Sequence, residues 1–414
     1  MPTQKPSCIG IDFGTTNTCV ALLEGQSARV IALDKSLMYF PNRKEAFFGK
    51  NAIEQYFERE MEGRFFQSVK RLLPNSQFTG TALIGAYVKV EDLIARFLIM
   101  MMERIEKEVV SIRGVPIHMG RPARYSLDPE NEALAITRFE KACKLAGFEN
   151  LKFIEEPVAA SRAAESFSKE EMVLVADLGG GTSDYTLYKS KPGKTPEVLS
   201  VHGAPVAGDA LDSDFFQARL LEFFGSTIQY QRPFSSNVLT LPANLMRLLS
   251  KWHHHAFLRE ASTWNFILSL RNELVDPLQK PLLENFITLV EENLGYQLHQ
   301  EVEEMKIRLS QEDQSDFSFK SYPIGIQVSV KRTEFESIIT ETTSTINQAA
   351  LETCKRGGVS PSEVTVLQFT GGTSKVPYIR KIISQSFPNA KLVDQEVFTA
   401  VAEGLALMGL DSYS

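Results

Sequence analysis

Two short segments carry residues suited to holding a phosphorylated ligand: Asp12-Phe13-Gly14-Thr15-Thr16-Asn17 and Asp177-Leu178-Gly179-Gly180-Gly181-Thr182-Ser183-Asp184. Each follows a short apolar run and opens on an aspartate. Glycine admits positive φ and leaves no Cβ in the way, so successive backbone N–H groups can converge on phosphate oxygens. The aspartates add hard oxygen ligands for a magnesium shell. One such turn is unremarkable, because aspartate and glycine are ordinary turn residues. Two copies far apart in one chain imply two related halves that each offer a turn to a shared ligand.

The elements that must position these turns are legible around them. Cys8-Ile9-Gly10-Ile11 and Val173-Leu174-Val175-Ala176 read as buried strands entering the turns, and Thr18 to Leu23 and Tyr185 to Tyr188 as strands leaving them. Strands alternate with helical stretches over residues 1 to 40 and 110 to 220, which predicts an α/β layer architecture. Helical spacing covers Glu91 to Val110 and Asp128 to Leu145, the latter closed at Gly147, and a short helix over Val158 to Ser166 follows Pro157. Thr333 and Glu336 match a T-x-x-E capping box, which predicts a long helix from there to Gly357-Gly358. Between Gln231 and Gln311 the chain turns to long helical segments, expected as an inserted subdomain packed by Trp252, Phe257, Trp264 and Phe266. Within it, His253, His254 and His255 point about 100° apart on a helix and cannot share one ion, so a solvated helix face is expected.

Composition bounds the rest. With 414 residues, 43% of them hydrophobic, the chain can bury a large core and suggests two to four structural units. A net charge of −7 without a long basic run argues against a nucleic-acid surface. Cys8, Cys19, Cys143 and Cys354 show no CxxC spacing and read as small core residues in a reducing compartment. The opening MPTQKPS lacks an apolar signal core, and the longest apolar run, Phe97 to Met102, is too short to span a bilayer. A cytoplasmic protein without membrane or nucleic-acid partners is expected.

With both turns placed, the chain resembles the nucleotide-binding domain of the Hsp70 chaperones, within the wider actin, sugar kinase and Hsp70 ATPase superfamily. Four segments carry the resemblance: IGIDFGTTNTCV at 9 to 20, FIEEPVAAS at 153 to 161, VADLGGGTSDYTL at 175 to 187 and FTGGTSKVPYI at 369 to 379. A fifth, Ser68-Val69-Lys70-Arg71-Leu72-Leu73, is similar to the family's lysine-bearing segment in the small upper lobe. The resemblance implies a two-lobed actin-like ATPase fold, α/β in class, built from duplicated ribonuclease H-like domains with inserted subdomains. Residues 1–39 and 117–189 would form the first core subdomain, and 40–116 the upper-lobe insert carrying Lys70. Residues 190–226 and 323–414 would form the second core, and 227–322 a helical insert contributing to the adenosine site. The chain stops at Ser414, shortly after the helical stretch Val401 to Met408, so no peptide-clamp domain is expected in it.

The same resemblance implies roles for individual residues, with ATP or ADP and Mg2+ as cofactors. Lys70 would reach the γ-phosphate and the attacking water, Glu156 would orient water around the metal, and Asp177 would orient or deprotonate the hydrolytic water. Asp12 and Asp184, with Asp177, would hold magnesium mostly through water. Gly14, Thr15, Thr16 and Asn17 would donate to the phosphates, and Gly179, Gly180, Gly181 and Thr182 would line the second turn, with Thr182 also in the catalytic set. On the adenosine side, Gly371, Gly372, Thr373 and Lys375 resemble the turn under base and ribose, Glu303, Lys306 and Ser310 the ribose- and base-contacting helix, and Gly208 and Asp209 the family's glycine–acid pair. The sequence departs from the pattern at Ile307, where an arginine usually stacks on adenine, and at Phe398, where an acid is usual. A stacked arginine is worth roughly 0.5 to 2 kcal/mol.

The function implied is a slow Mg-dependent ATPase whose nucleotide state opens and closes a two-lobed cleft and signals to a protein partner such as a co-chaperone. The two turns alone would also permit a small-molecule kinase of the same superfamily, against which stand the Lys70 segment and the Hsp70-like GGTSKVP. Ile307, Phe398 and the missing clamp suggest a third reading, a non-hydrolysing nucleotide sensor or scaffold, and an actin-like filament former is a fourth.

Overall fold

The structure, a computed structural model, describes residues 5–15, 17–42, 44–59, 62–67, 69–83, 85–108, 112, 114–122, 125–126, 128–163, 169–192, 196–251, 254–394 and 397–410. Its frame is two five-stranded sheets of the same topology. The first is built from β1 (Cys8–Phe13), β2 (Asn17–Glu24), β3 (Ser27–Lys35), β4 (Ile117–Arg121) and β5 (Leu151–Glu155) in the order β5-β4-β1-β2-β3. The second is built from β6 (Glu171–Leu178), β7 (Ser183–Ser190), β8 (Glu197–Ala204), β9 (Val366–Thr370) and β10 (Lys391–Asp394) in the order β8-β7-β6-β9-β10. In both, three antiparallel strands continue into two parallel ones. Strands such as β1 and β9 are covered on both faces, which is why they read as near-continuous apolar runs rather than alternating ones. This is the mixed α/β, actin-like ATPase architecture expected from the sequence.

The register repeats as well. Asp12 lies opposite Cys19 and Phe13 opposite Thr18, while Asp177 lies opposite Asp184 and Leu178 opposite Ser183. Each aspartate therefore stands at the same step before its turn.

Helices α1 (Gly49–Glu58), α2 (Val90–Glu108), α3 (Pro129–Leu145), α4 (Glu156–Ala163), α5 (Gly208–Phe215), α6 (Gly295–Leu309), α7 (Thr340–Arg356), α8 (Pro377–Ser386) and α9 (Val397–Leu407) cover the sheets and build the inserts. α3 starts as its sequence predicts: Asp128 accepts from the Asn131 N–H at 2.9 Å, Pro129 occupies the first turn, and Gly147 beyond its end has φ +84°. α4 begins at Glu156, two residues before the expected start.

α9 follows the second sheet yet packs on the first. A Cβ on Gly10 would lie 2.2 Å from the Ala402 carbonyl, and one on Gly404 would lie 1.8 Å from the Ala159 carbonyl of α4. Buried His118 of β4 hydrogen-bonds the Leu405 carbonyl through Nδ1 at 2.8 Å, satisfying one of the orphan acceptors at the C-terminal end of α9. These contacts fix α9 against the first sheet and α4.

The insert after β3 holds a small sheet (Leu37–Phe40, Phe47–Phe48, Arg64–Gln67), α1, a 3-10 turn at Val69–Leu72 and α2. The insert after α5 is helical, with Ala243–Leu249, Ala261–Ser269, Lys280–Glu291 and α6, then a hairpin of Gln314–Ser321 with Ile324–Lys331. The expected boundary at residue 322 falls in the turn of this hairpin. The expected boundary at 189 is corrected: β6 and β7 both pair into the second sheet, so the second core begins before it. The two inserts touch where Phe57 stacks on Tyr296, ring centroids 4.8 Å apart.

Two local expectations are corrected. Thr333 does not cap a helix: the hairpin strand runs to Lys331 and passes directly into a helix at Arg332–Ile338, which breaks at Ile339 before α7 begins. α7 does end at Gly357-Gly358, with Gly358 at φ +67°. His255 is not on a solvated face. It is buried, with Nε2 bonded to the Leu249 carbonyl at 2.8 Å and its ring against Gly295, where a Cβ would lie 2.2 Å from Nδ1. Ser68, Trp252 and His253 lie outside the described residues. All four cysteines are buried free thiols. Among the described residues no helix is long and apolar enough to cross a membrane.

Gly404→Ala should cost about 1–3 kcal/mol, because its methyl meets backbone that cannot swing aside. Gly325→Ala, where a Cβ has open space, should change stability by no more than about 0.5 kcal/mol. Urea unfolding of both variants checks this, and equal losses would refute the close-packing account.

Candidate functional site

The two register-matched turns face one cleft, and each is tied down by its surroundings. In the first, a Cβ on Gly14 would lie 2.2 Å from the Asn17 carbonyl, so the turn closes too tightly for a side chain there. Ser36 Oγ donates to the Gly14 carbonyl at 2.7 Å and lies 2.9 Å from Thr18 Oγ1. Thr15 and Asn17 are half-buried beside it, and Thr16 lies outside the described residues.

In the second turn the Gly179 N–H donates to the Thr182 carbonyl at 3.0 Å, and the Asp209 N–H donates to the Gly180 carbonyl at 2.7 Å. Thr373 Oγ1 donates to the Gly179 carbonyl at 2.7 Å. Gly371 has φ +82°, and a Cβ there would meet the Leu178 carbonyl at 2.2 Å and Asp177 Oδ1 at 3.0 Å. Only glycine allows this turn to lie under the Asp177 segment. Arg71 completes the grip from the other lobe, its Nη2 donating to the Gly181 carbonyl at 3.1 Å.

Lys70, on the 3-10 turn, reaches across to the start of α4. Its Nζ lies 2.6 Å from Glu156 Oε1, and its side chain is buried. Burial alone would pull this ammonium down, but Glu156, Asp12 and Asp184 outweigh it and hold the pKa above its ordinary value. The carboxyls are raised as well, which for them disfavours the charged form. Burial pushes Asp12 up to about 8, with Glu156 adding to the push, Lys70 pulling back and Asp177 adding again. Burial pushes Asp177 up to about 7, with Asp184 and Glu156 reinforcing it against Lys70. Asp184 is raised too, first by burial, although the Thr182 hydroxyl and Arg71 favour its charge. Asp177 and Asp184 remain reachable by solvent, so this crowding is that of a cleft floor rather than a sealed core.

Acidic groups thus outnumber the cation among them, which suits a bound metal ion. Among the described residues no three His, Cys, Asp or Glu side chains come close enough together to ligate one ion directly. The donor set therefore fits a hydrated cation shared with a phosphorylated ligand better than a dry protein cage.

Further along, Gly208 and Asp209 open α5 against the second turn. A Cβ on Gly208 would lie 2.6 Å from Thr373 Oγ1, and Asp209 is pushed up by burial against the pull of Lys306. Lys306 is buried on α6 and donates to Asp212 Oδ2 at 2.8 Å and to the Gly208 carbonyl at 3.4 Å. Burial lifts Asp212 to about 6 despite this pairing. Ser310 Oγ donates to the Lys306 carbonyl at 3.0 Å. Glu303 and Ile307 are exposed on the same helix, Ile307 at 52%. Gly372 and Lys375 are exposed beyond the Gly371 turn, and the side chain of Phe398 lies outside the described residues.

The sequence reading missed two contributors. Asp212, the buried partner of Lys306, stands one helical turn after Gly208 and so on the same face of α5, a spacing that could have flagged it. Arg71 was visible beside Lys70, but its bond to the opposite lobe had no sequence signal.

Comparison with known proteins identifies the family. The family model described as Hsp70 protein matches residues 88–248 and 282–410, which is most of the chain and includes Glu156, the second turn, α6 and the Gly371 turn. The chain belongs to the Hsp70 family. Among similar proteins, the mitochondrial heat shock 70 kDa protein of Solanum tuberosum is 24% identical over 454 residues, covering 98% of this chain and 55% of its own length. The chaperone protein DnaK of Mesomycoplasma hyopneumoniae is 25% identical over 429 residues, covering 98% and 58%. That of Mycoplasmoides gallisepticum is 24% identical over 398 residues, covering 94% and 57%. This Hsp70-family chain spans a little over half the length of the relatives it matches. The alignments over 98% of it extend the similarity through the Asp12 turn and Lys70, ahead of the family-model match.

The raised carboxyls make a signed prediction. A carboxyl whose folded pKa lies above its unfolded value of about 3.9 holds a proton in the fold that the unfolded chain releases, so its contribution to stability falls as pH rises. For Asp12 the window runs from that value up to about 8 and is level above it. In EDTA-treated protein, Asp12→Asn should match the wild type near the acid end of this window and become progressively more stable than it up to the alkaline end. Urea unfolding across pH checks this, and a difference independent of pH would show that Asp12 is not raised.

Proposed function

We propose that this Hsp70-family chain binds ATP or ADP with magnesium between its two sheets, hydrolyses ATP slowly, and couples the nucleotide to closure of its lobes. The observation that carries this reading is the Lys70–Glu156 pair, 2.6 Å apart, set among Asp12, Asp177 and Asp184 between two glycine turns of matching register. Phosphoryl transfer asks for positioning and charge neutralisation more than covalent chemistry, and this arrangement supplies both.

The chain's own groups divide the work. Backbone N–H groups of Gly14 to Asn17 and of Gly180 to Thr182 hold the phosphates, with Gly179 closing the second turn, and Lys70 brings its ammonium to the terminal one. Asp177, at about 7, has the basicity suited to orienting water and accepting its proton near neutral pH. Asp12 and Asp184, with Asp177, would hold magnesium mostly through water, and Glu156 fixes Lys70 and would orient water around the metal. When bound, magnesium supplies charge neutralisation at the phosphate oxygens. Gly208, Asp209, Lys306, Gly371 and Thr373 form the wall toward the nucleoside, with Glu303, Ile307, Ser310, Gly372 and Lys375 at its outer end.

Among the described residues, contacts across the cleft include Arg71 to the Gly181 carbonyl and Phe57 on Tyr296. A ligand seated on the Gly179–Gly181 turn therefore bears directly on how the lobes meet, which supports a nucleotide-dependent opening read by a protein partner such as a co-chaperone. A cytoplasmic setting fits four reduced, buried cysteines.

A nucleotide at about 100 times its Kd should add roughly 2.7 kcal/mol of stability. Thermal shifts with ATP and ADP, with and without magnesium, read this directly, and no shift with either nucleotide would overturn the proposal. Lys70→Ala should raise the hydrolytic barrier by about 3 kcal/mol, roughly a hundredfold in turnover, while leaving ADP affinity nearly intact. Unchanged turnover in that variant would remove Lys70 from the mechanism.

A further inference from the structure

The buried face of α3 carries one residue out of character. Ala135, Arg138, Phe139, Ala142 and Cys143 fall at the spacing of an apolar stripe, and all are buried, Arg138 included. A guanidinium enters such a stripe only if acceptors meet it there. Arg138 Nη1 meets three backbone carbonyls, those of Leu72 at 3.1 Å, Leu73 at 3.1 Å and Asn75 at 2.9 Å. These carbonyls belong to the end of the 3-10 turn that carries Lys70 and to the residues just after it.

The neighbouring residue on α3 works on the other side of the cleft floor. The Phe139 ring stacks on Phe13, centroids 5.8 Å apart, and Phe13 directly follows Asp12. One helix thus braces the Asp12 strand through Phe139 and the Lys70 turn through Arg138. A 3-10 turn of four residues has few bonds of its own, and its C-terminal carbonyls need partners. A lysine ammonium on a long flexible stem stays where it is needed only if its backbone does.

We propose that Arg138 is a positioning residue for Lys70: its guanidinium clamps the carbonyls of Leu72, Leu73 and Asn75 and so fixes the Lys70 turn against the α3 that also backs Asp12. The inference rests on the ATPase reading of Lys70, but the clamp itself is measurable without turnover. All three bonds fall on the one Nη1, whose two hydrogens are shared among three acceptors, and the planar guanidinium fixes that nitrogen where a lysine ammonium on a mobile stem would wander.

The test compares Arg138→Met, Arg138→Lys and a core control, Ile105→Ala, a buried α2 residue of the same lobe. Single-turnover ATP hydrolysis should fall about tenfold to a hundredfold in Arg138→Met, the scale of a misplaced catalytic group, with ADP affinity little changed. Arg138→Lys should recover part of the loss, and Ile105→Ala should lose stability without that loss of rate. In a Lys70→Ala background, adding Arg138→Met should have almost no further effect, because the group it positions is gone. A loss of the same factor in both backgrounds would mean general destabilisation and overturn the proposal. Amide hydrogen exchange over residues 69–75 in nucleotide-free protein provides the independent readout, expected to speed up in both Arg138 variants. Unchanged exchange there also overturns the clamp. If Arg138→Met does not fold, Arg138→Lys carries both measurements. If the wild type shows no turnover, the ATPase reading fails while the exchange result still decides the role of Arg138.

Discussion

The floor of the cleft sets one ammonium against four carboxylates, and that imbalance governs the rest of the site. Lys70 pairs with Glu156 at 2.6 Å, which leaves Asp12 and Asp177 raised to about 8 and about 7. Burial first, and the neighbouring carboxylates after it, favour the protonated forms of Asp12 and Asp177, so a cation brought among them would displace protons. The same imbalance makes the location of Lys70 critical. A buried ammonium displaced from its acids would lose the compensation that permits its burial. The tying of its turn from below and the bond of Arg71 to the opposite lobe follow as structural requirements of that one charge.

Duplication explains the frame, and the differences between the copies explain the division of labour. The position opposite Asp12 is Cys19, whereas the position opposite Asp177 is Asp184. Burial pushes the Cys19 thiol up, so it is a neutral filler, and the first turn contributes one acid where the second contributes two. Anchoring differs as well. The Gly14 turn is held through Ser36 and Thr18, residues of its own neighbourhood, while the Gly179–Gly181 turn is held by Thr373, by the start of α5 and by Arg71 from the other lobe. The second turn is therefore the one held from both lobes, while the first is held within the neighbourhood of its own sheet.

Both turns, the strands around them and the start of α3 were legible in the sequence because each is specified locally, by alternation of apolar runs with glycine and by Asp128 ahead of Pro129. The long-range features were not. Nothing in the chain near Leu405 announces that His118 will receive its carbonyl, and nothing near Gly404 announces the Ala159 backbone except the glycine itself. Thr333 misled because a capping box is a local signal, and here the strand feeding Arg332 had already set the direction of the chain. His255 misled for the opposite reason: it closes a run of three histidines, but its ring packs against Gly295, 40 residues away. Arg138 was readable in principle, as a charge within an apolar stripe, though only the fold shows which carbonyls it serves.

The nucleoside end obeys a different economy from the phosphate end. Lys306 reaches toward Gly208 but is engaged by Asp212 at 2.8 Å, so a ribose hydroxyl approaching it must share a charge already spoken for. Ile307 beside it is half exposed and presents an apolar surface where the family places a planar cation. An aliphatic side chain can cover an aromatic base but cannot attract its π-face, and it carries no donor or acceptor with which to tell one base from another. The phosphate turns, by contrast, combine fixed backbone donors with a buried ammonium. On the proposed nucleotide reading, recognition in this cleft would weigh the number of phosphates and their metal more heavily than the base, because Asp212 already engages Lys306 and Ile307 offers neither donor nor acceptor.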